Sequence, residues 1–348
     1  MTLRALVLAS VLSCLACTSQ STASSRSGGG SPSSSSGDES GDGIMFEDER
    51  DAAAAPPASP ELTQAENTLA EGRPREARTM LEAITAAHAD DLRAWLDLGL
   101  AREMLDDVPG AEAAYRSALT ANPRFAEALN NLGTLLRDTD RLQDGIAMLR
   151  QAIEIRAGFA SAHLNLGLAL EDADDDAGAA SEYRSVMRLA PREPTSRTQL
   201  GLMLLRQGDA GQALIELRRA LPLAAGDRAT LSAIGSGLRR AGDPAMAVRA
   251  LTDAVGADES PAPAALTAEL ALAEFAAGSR PAAEQRLRDL ITSDASYATS
   301  HYLLANMLAA RQAWSDAATE YQAFLRAAPS APEAGDARGR LTYVQHQH

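Results

Sequence analysis

The chain has 348 residues and a formal net charge of −15, and only 4% of its residues are aromatic. The acidic balance argues against a protein that follows the phosphates of a nucleic acid. The scarcity of aromatic residues suits alanine-based helix packing, and the length allows two average domains or one long repeat array. Both cysteines, Cys14 and Cys17, lie near the N-terminus, so the remainder is expected to hold neither a disulfide nor a cysteine-based metal site.

The N-terminus has the pattern of an export signal. Arg4 gives a positive start, and the apolar stretch that follows, up to about Ala16, is too short to span a membrane but suits the core of a signal peptide. The stretch ends in Leu15-Ala16-Cys17, which resembles the bacterial lipobox, where the cysteine sulfur receives a diacylglycerol and cleavage exposes its amine. The resemblance implies a lipoprotein signal peptide over residues 1–16 and a lipid anchor on Cys17.

Two alternatives to a lipid on Cys17 stay open. Cys14 follows Val11-Leu12-Ser13 and is a second candidate, and cleavage after Ala23 would release a soluble exported protein. In the lipobox family an Asp after the cysteine favours the inner membrane, whereas Thr18 stands there in this chain. The resemblance therefore implies a lipid-anchored protein of the bacterial cell envelope, in the outer membrane and facing the periplasm.

Residues 17–57 are predicted to be a linker. Apart from Cys17 they are mostly Ser, Gly, Ala, Pro and acidic residues, which cannot bury enough apolar surface to fold. One apolar triplet, Ile44-Met45-Phe46, stands among the acidic residues. It is either a short docking motif or a chance feature of a disordered spacer.

A 34-residue period runs through the rest of the chain. The pair Leu98-Gly99 recurs as Leu132-Gly133, Leu166-Gly167 and Leu200-Gly201, and Ile234-Gly235 follows at the same spacing. The glycine is the eighth residue of each of these 34-residue repeats. Because two helices that cross closely leave no room for a side chain, a glycine at this position predicts tightly packed helix pairs. The pattern resembles the tetratricopeptide repeat, and it implies an all-α, right-handed α-solenoid of helix–turn–helix units.

We predict eight repeats between residues 58 and 331, with a two-residue slip before the seventh. An amphipathic capping helix and tail over residues 332–348 would shield the last apolar face, as such arrays require. The predicted repeats are 58–91, 92–125, 126–159, 160–193, 194–227, 228–261, 264–297 and 298–331.

The resemblance also implies a binding face. In the family, positions 2, 5, 9, 12 and 13 of the first helix line a concave groove, and here they include leucines that would form an exposed apolar strip. The family's clamp for a terminal carboxylate is not expected, because Leu96 and Leu100 occupy two of its positions and Ser161 a third. A helical or extended apolar segment is the expected ligand, unless neighbouring helices or the linker cover the leucines. The predicted partner-binding residues are Leu96, Leu100, Asn130, Asn131, Leu164, Asn165, Leu168, Leu202 and Leu205.

Signals for chemistry are weak. Asp172, Asp174 and Asp176 have the alternate spacing of a calcium loop, but the glycine and glutamate that such a loop needs are absent, so we predict a solvated acidic turn. His163 and His301 occupy the repeat position of a tryptophan elsewhere and are predicted to be packing residues. Enzymatic activity, a metal, a cofactor, a small-molecule substrate and nucleic-acid binding are not expected.

The sequence therefore predicts a membrane-anchored scaffold or adaptor of the cell envelope that binds a protein or peptide partner. More specific roles that remain open are a pilotin-like factor that assembles an outer-membrane secretin of type IV pili, an organiser of peptidoglycan enzymes, and a part of a motility or secretion machine. The alternative from another class is a regulatory or targeting subunit of a separate enzyme, such as a peptidoglycan enzyme.

Overall fold

The computed structural model describes residues 58–257 and 260–347. The predicted signal peptide, Cys17, the linker and Ile44-Met45-Phe46 lie outside these residues. Every regular element in the described part of the chain is a helix, and no strand occurs there. The prediction of an all-α repeat fold of the solenoid class is confirmed.

The chain divides into two compact units, and the first ends at Asp175. Seven helices of the first unit are described, and each packs against the next along the chain. They are α1 (Pro60–Ala70), α2 (Pro74–Ala87), α3 (Leu92–Glu103), α4 (Val108–Ala121), α5 (Ala126–Arg137), α6 (Leu142–Ile155) and α7 (Ala160–Asp172).

The second unit begins at Asp176 and is built in the same way. None of the helices in either described range has the length and apolar character to cross a bilayer. The helices of the second unit are α8 (Asp176–Leu189), α9 (Thr195–Arg206), α10 (Ala210–Ala220), α11 (Arg228–Arg240), α12 (Pro244–Val255), α13 (Ala264–Ala276), α14 (Arg280–Ser293), α15 (Thr299–Ala310), α16 (Trp314–Ala327) and α17 (Ala334–Gln345), with a 3-10 turn at Leu221–Leu223.

Aspartates begin several of these helices. The side chains of Asp91, Asp107, Asp209 and Asp243 each accept a hydrogen bond from the backbone N–H three residues later, at distances of 2.9 to 3.2 Å. Such a cap satisfies one of the N–H groups that the first turn of a helix leaves without an internal partner.

The recurring glycines allow the two helices of a pair to touch. A Cβ atom added to Gly99 would come 2.2 Å from Cε1 of Tyr115, and one added to Gly133 would come 2.7 Å from Cγ of Leu149. Gly235 faces Leu251 in the same way, at 2.5 Å. The steric reason predicted for these glycines is confirmed.

A second periodic feature was not predicted. The residue at position 15 of each predicted repeat has a left-handed backbone, with φ between 58° and 92°. These residues are Gly72, Asp106, Asp140, Asp174, Gly208, Gly242, Gly278 and Gln312. Each turns the chain from the first helix of a pair into the second. Glycine adopts this conformation freely, whereas an L side chain costs roughly 1–2 kcal/mol there.

One hydrogen bond ties a helix pair to the turn before it. Nε1 of Trp95 donates to the backbone carbonyl six residues earlier at 2.9 Å, and Nε2 of His163 makes the equivalent contact at 2.9 Å. His163 is also buried, so its predicted packing role is confirmed. His301, at the same repeat position, lies instead 2.6 Å from a carboxylate oxygen of Glu320, which gives it a polar contact.

Candidate functional site

The predicted binding residues of the first unit lie on the first helices of its pairs, α3, α5 and α7. We call the surface formed by these first helices the helix-A face. Leu96, Asn131, Leu164 and Leu168 are half-buried there, so part of each side chain reaches solvent. The face therefore offers apolar contact area.

The structure buries the other three predicted residues of this unit. Leu100 is only 7% exposed, because it packs in a core cluster with Leu62 and Leu69 of α1. Asn130 and Asn165 are 5% and 8% exposed, and they hydrogen bond to one another. The expectation of a continuous exposed leucine strip is therefore wrong at Leu100, where the preceding helix pair covers the side chain.

Three asparagines, two of them buried and Asn131 half-buried, form an amide network between α5 and α7. Nδ2 of Asn165 donates to Oδ1 of Asn130 at 2.9 Å, and Nδ2 of Asn130 donates to Oδ1 of Asn131 at 3.0 Å. Because buried amides are costly without partners, this network fixes the spacing of two neighbouring first helices. The sequence predicted all three residues at the face, but it did not predict that they bond to each other.

The network continues to a tyrosine that the sequence analysis did not place at the site. Asn131 interacts with Tyr115 of α4 in a way that favours ionisation of the hydroxyl, and the Tyr115 hydroxyl donates to the carboxylate of Glu103 in α3. Burial, together with the negative charge of Glu103, raises the pKa of Tyr115 well above its usual value. The hydroxyl therefore stays protonated and remains a donor. Polar side chains thus follow one another from α3 through α4 and α5 to α7.

The sequence analysis also did not place Asp97 at the candidate site, although Asp97 occupies the repeat position of Asn131 and Asn165. Its Oδ2 atom is buried and has no hydrogen-bond partner. Burial, and secondarily the charge of Glu66, raises the pKa of Asp97 to about 8, although Arg93 opposes the shift. A protonated Asp97 would continue the row of uncharged polar side chains, and the shared repeat position was the signal that could have identified it.

In the second unit the predicted residues are partly covered. Leu202 and Leu205 of α9 are half-buried. A Cβ atom built on Gly237 of α11 would come 3.0 Å from Cδ2 of Leu202, and Leu205 packs against the core of this unit. Only one edge of each leucine side chain reaches solvent, since neighbouring helices such as α11 cover the rest of it.

The first helices α11 and α13 of the second unit carry charge. Glu269 of α13 accepts hydrogen bonds from Oγ of Ser236 at 3.1 Å and from the Arg239 guanidinium at 3.1 Å, both from α11. These two helices thus share charged contacts, in contrast to the leucines and asparagines on the first helices of the first unit.

The described residues offer no arrangement for a metal. Among residues 58–257 and 260–347, no group of three or more His, Cys, Asp or Glu could hold a metal ion. Asp172, from the calcium-like spacing, lies 2.5 Å from the guanidinium of Arg137, and Asp174 is one of the left-handed turn residues.

A model of the tetratricopeptide repeat family matches residues 62–124, 105–158, 130–194 and 268–332, which together make up more than half of the chain. A comparison with curated protein sequences gave no match. The matched segments therefore cover nearly all of the described part of the first unit, and residues 176–194 and 268–332 of the second.

Solved structures of similar fold include three complexes or proteins with low sequence identity. PilW, described as a widely conserved type IV pilus biogenesis factor, is 18% identical, with a TM-score of 0.51 over 56% of this chain and 91% of that one. PilF of Pseudomonas aeruginosa is also 18% identical, with a TM-score of 0.50 over 56% of this chain and 89% of that one. The Cut9–Hcn1 hetero-tetramer of APC/C is 16% identical, with a TM-score of 0.54 over 82% of this chain and 55% of that one. At these identities the likeness concerns the fold alone.

Proposed function

The chain belongs to the tetratricopeptide repeat family, and on that premise we propose that it is a scaffold of the bacterial cell envelope that holds a peptide segment of a partner protein on its helix-A face. Repeats of this kind generally serve protein–protein interaction. The observation that carries the proposal is the polar network Glu103–Tyr115–Asn131–Asn130–Asn165 beside the half-buried leucines of the same face.

This arrangement suits an extended or helical segment with apolar side chains. Leu96, Leu164 and Leu168 would contact the apolar side chains, since each is only partly covered. Asn131, the half-buried amide of the network, would hydrogen bond to the backbone of the ligand, and a rigid face loses little entropy on binding. No group of this face is arranged for covalent chemistry, so we propose binding rather than catalysis.

We further propose that Cys17 carries the lipid anchor and that residues 17–57 tether the repeats of 58–331 to the outer membrane. The lipobox-like Leu15-Ala16-Cys17 supports this proposal. A Cys17→Ser variant should move from the membrane fraction to the soluble fraction. Membrane residence that persists in a Cys14→Ser/Cys17→Ser variant would rule out the lipid anchor.

Within this class, a pilotin-like role in assembling an outer-membrane secretin is supported by the fold similarity to PilF and PilW. A targeting subunit of a peptidoglycan enzyme is the alternative. The test is in-cell cross-linking and affinity capture with wild type and Leu164→Asp/Leu168→Asp. Gln143→Asp/Ala147→Asp is the matched control, because it adds the same two charges to exposed positions of α6.

A secretin or pilus protein that wild type and the control capture, and the leucine variant loses, would support the pilotin-like role and the helix-A face together. Cell-wall enzymes lost in the same way would favour the targeting role. If all three proteins capture the same partners, the helix-A face is not the binding surface.

A further inference from the structure

A cleft of about 460 Å³ lies within the second unit. Its walls are the second helices α8 and α10, and α9 forms its floor. We call it the arginine cleft, because Arg184, Arg188, Arg197 and Arg219 line it. Neither the repeat pattern nor the proposed function assigns it a role.

The charges in the arginine cleft are only partly compensated. Glu216 is its one acidic lining residue, and it lies 3.1 Å from Arg197 and 3.4 Å from Arg219. Arg184 forms no ion pair among the described residues, and Arg188 bonds only to Oγ of Ser185, at 3.0 Å. The cleft is therefore electropositive, although the chain as a whole has a net charge of −15.

The same cleft has apolar surface. Met187, Leu200 and Leu204 lie between the arginines along its length. Within the described residues, the large hydrophobic side chains with more than a third of their surface exposed are Leu189, Ile215 and Tyr343. Leu189 and Ile215 belong to α8 and α10, the helices that form the walls, although neither residue lines the cleft itself.

We propose that the arginine cleft binds an acidic peptide in which carboxylates flank one or two apolar side chains. Arg184 and Arg188 would take the carboxylates, because planar guanidinium groups match carboxylate geometry. Met187 and Leu204 would receive an apolar side chain between them. Glu216 disfavours a compact multiply charged phosphate at the centre of the cleft, whereas a peptide can place its carboxylates to either side.

The test is fluorescence anisotropy with the full chain and a labelled peptide that has a Leu-Phe pair between two runs of four acidic residues. Control peptides replace either the acidic residues by Gln and Asn, or the Leu-Phe pair by Ser-Gly. Both controls should bind at least about ten-fold more weakly, and the affinity should fall as salt rises. Inorganic phosphate serves as the competitor.

The matched variants differ only in where two charges are reversed. Arg184→Glu/Arg188→Glu should weaken binding about ten-fold or more, since each exposed charge contact contributes modestly. Arg124→Glu/Arg150→Glu is the control, because both residues are exposed and Arg150 occupies in α6 the repeat position of Arg184 in α8. Glu216→Gln should tighten binding, because it frees Arg197 and Arg219.

The titration is repeated on a chain in which the acidic residues between 38 and 51 are changed to amides, because these residues would compete with the peptide for the arginines. Tighter binding there supports the proposed ligand chemistry. Three results would overturn the proposal. The first is an equal loss of affinity in the cleft variant and in the control variant. The others are binding that does not depend on the Leu-Phe pair and is displaced by phosphate, and no binding by either the unchanged chain or the chain with amides.

Discussion

Gly99→Ala should test the close helix contact on which the repeat depends. The new methyl group would come 2.2 Å from Cε1 of Tyr115 and 2.6 Å from its Cδ1 and Cζ. Tyr115 is fully buried, and its hydroxyl is bonded to Glu103, so the ring has no open space to enter. Either the ring moves and strains this hydrogen bond, or α3 and α4 move apart.

The magnitude follows from opposing effects. Overpacking of a core typically costs about 1–3 kcal/mol, and weakening a hydrogen bond to a charged group adds up to about 1.5–3 kcal/mol. Replacing Gly by Ala in a helix returns about 1 kcal/mol. We expect a net loss of about 1–3 kcal/mol in the free energy of unfolding, and a smaller loss in a Tyr115→Leu background, because a leucine can shift where the ring cannot.

Gly339→Ala provides the matched control. Gly339 is exposed in the middle of α17, and an added Cβ atom would meet nothing within 4 Å. The same substitution should therefore stabilise this helix by up to about 1 kcal/mol. Urea unfolding followed by circular dichroism measures both changes. Midpoints that shift in the same direction for the two variants would refute the close contact at Gly99.

Three further outcomes follow from the structure. The free energy of unfolding should fall as the pH rises from about 4 to about 8, because folded Asp97 has a pKa of about 8 against an ordinary 3.8 and unfolding releases its proton in that window. In urea titrations, Asp97→Asn should remove this part of the pH dependence. Parallel plots of unfolding free energy against pH for wild type and Asp97→Asn would contradict the prediction. Gln312→Gly should stabilise the protein by about 0.5–1 kcal/mol, since Gln312 has a φ of 63°; a lower melting temperature would contradict the left-handed turn. Gly133→Leu should cost about 1–3 kcal/mol, because even its Cβ atom would come 2.7 Å from Leu149 and 3.0 Å from the backbone oxygen of Gly145; an unchanged melting midpoint would refute the contact.

The parts of the fold that repeat could be predicted from the sequence. Gly99, Gly133 and Gly235 recur because the two helices of each pair come equally close at this position. The 34-residue spacing of the glycines is therefore enough to predict the contact. The left-handed position was missed because Asp106, Asp140 and Gln312 share it with glycines, which hides a backbone requirement behind unlike residues.

The binding face could be predicted only in outline, because the exposure of a side chain depends on its neighbours in space. Leu100 has the repeat position of Leu168, yet Leu100 is buried by the first helix pair while Leu168 is half-buried. The pairing of Asn130 with Asn165 likewise depends on the separation of α5 and α7. The arginine cleft combines residues of three helices, and Arg197 joins it only because it occupies the position that Trp95 fills elsewhere.

The left-handed turn residues have a consequence for how the two units can evolve. In a stacked array the total stability is close to a sum of local contributions, so each turn changes the stability almost independently of the others. Three of the four side-chain-bearing turns, at Asp106, Asp140 and Asp174, fall in the first unit. Exchanging Gly and Asp at these positions would make one unit firmer or more easily opened while leaving the residues of both the helix-A face and the arginine cleft untouched. Selection can therefore tune the lifetime of each unit separately from what it binds.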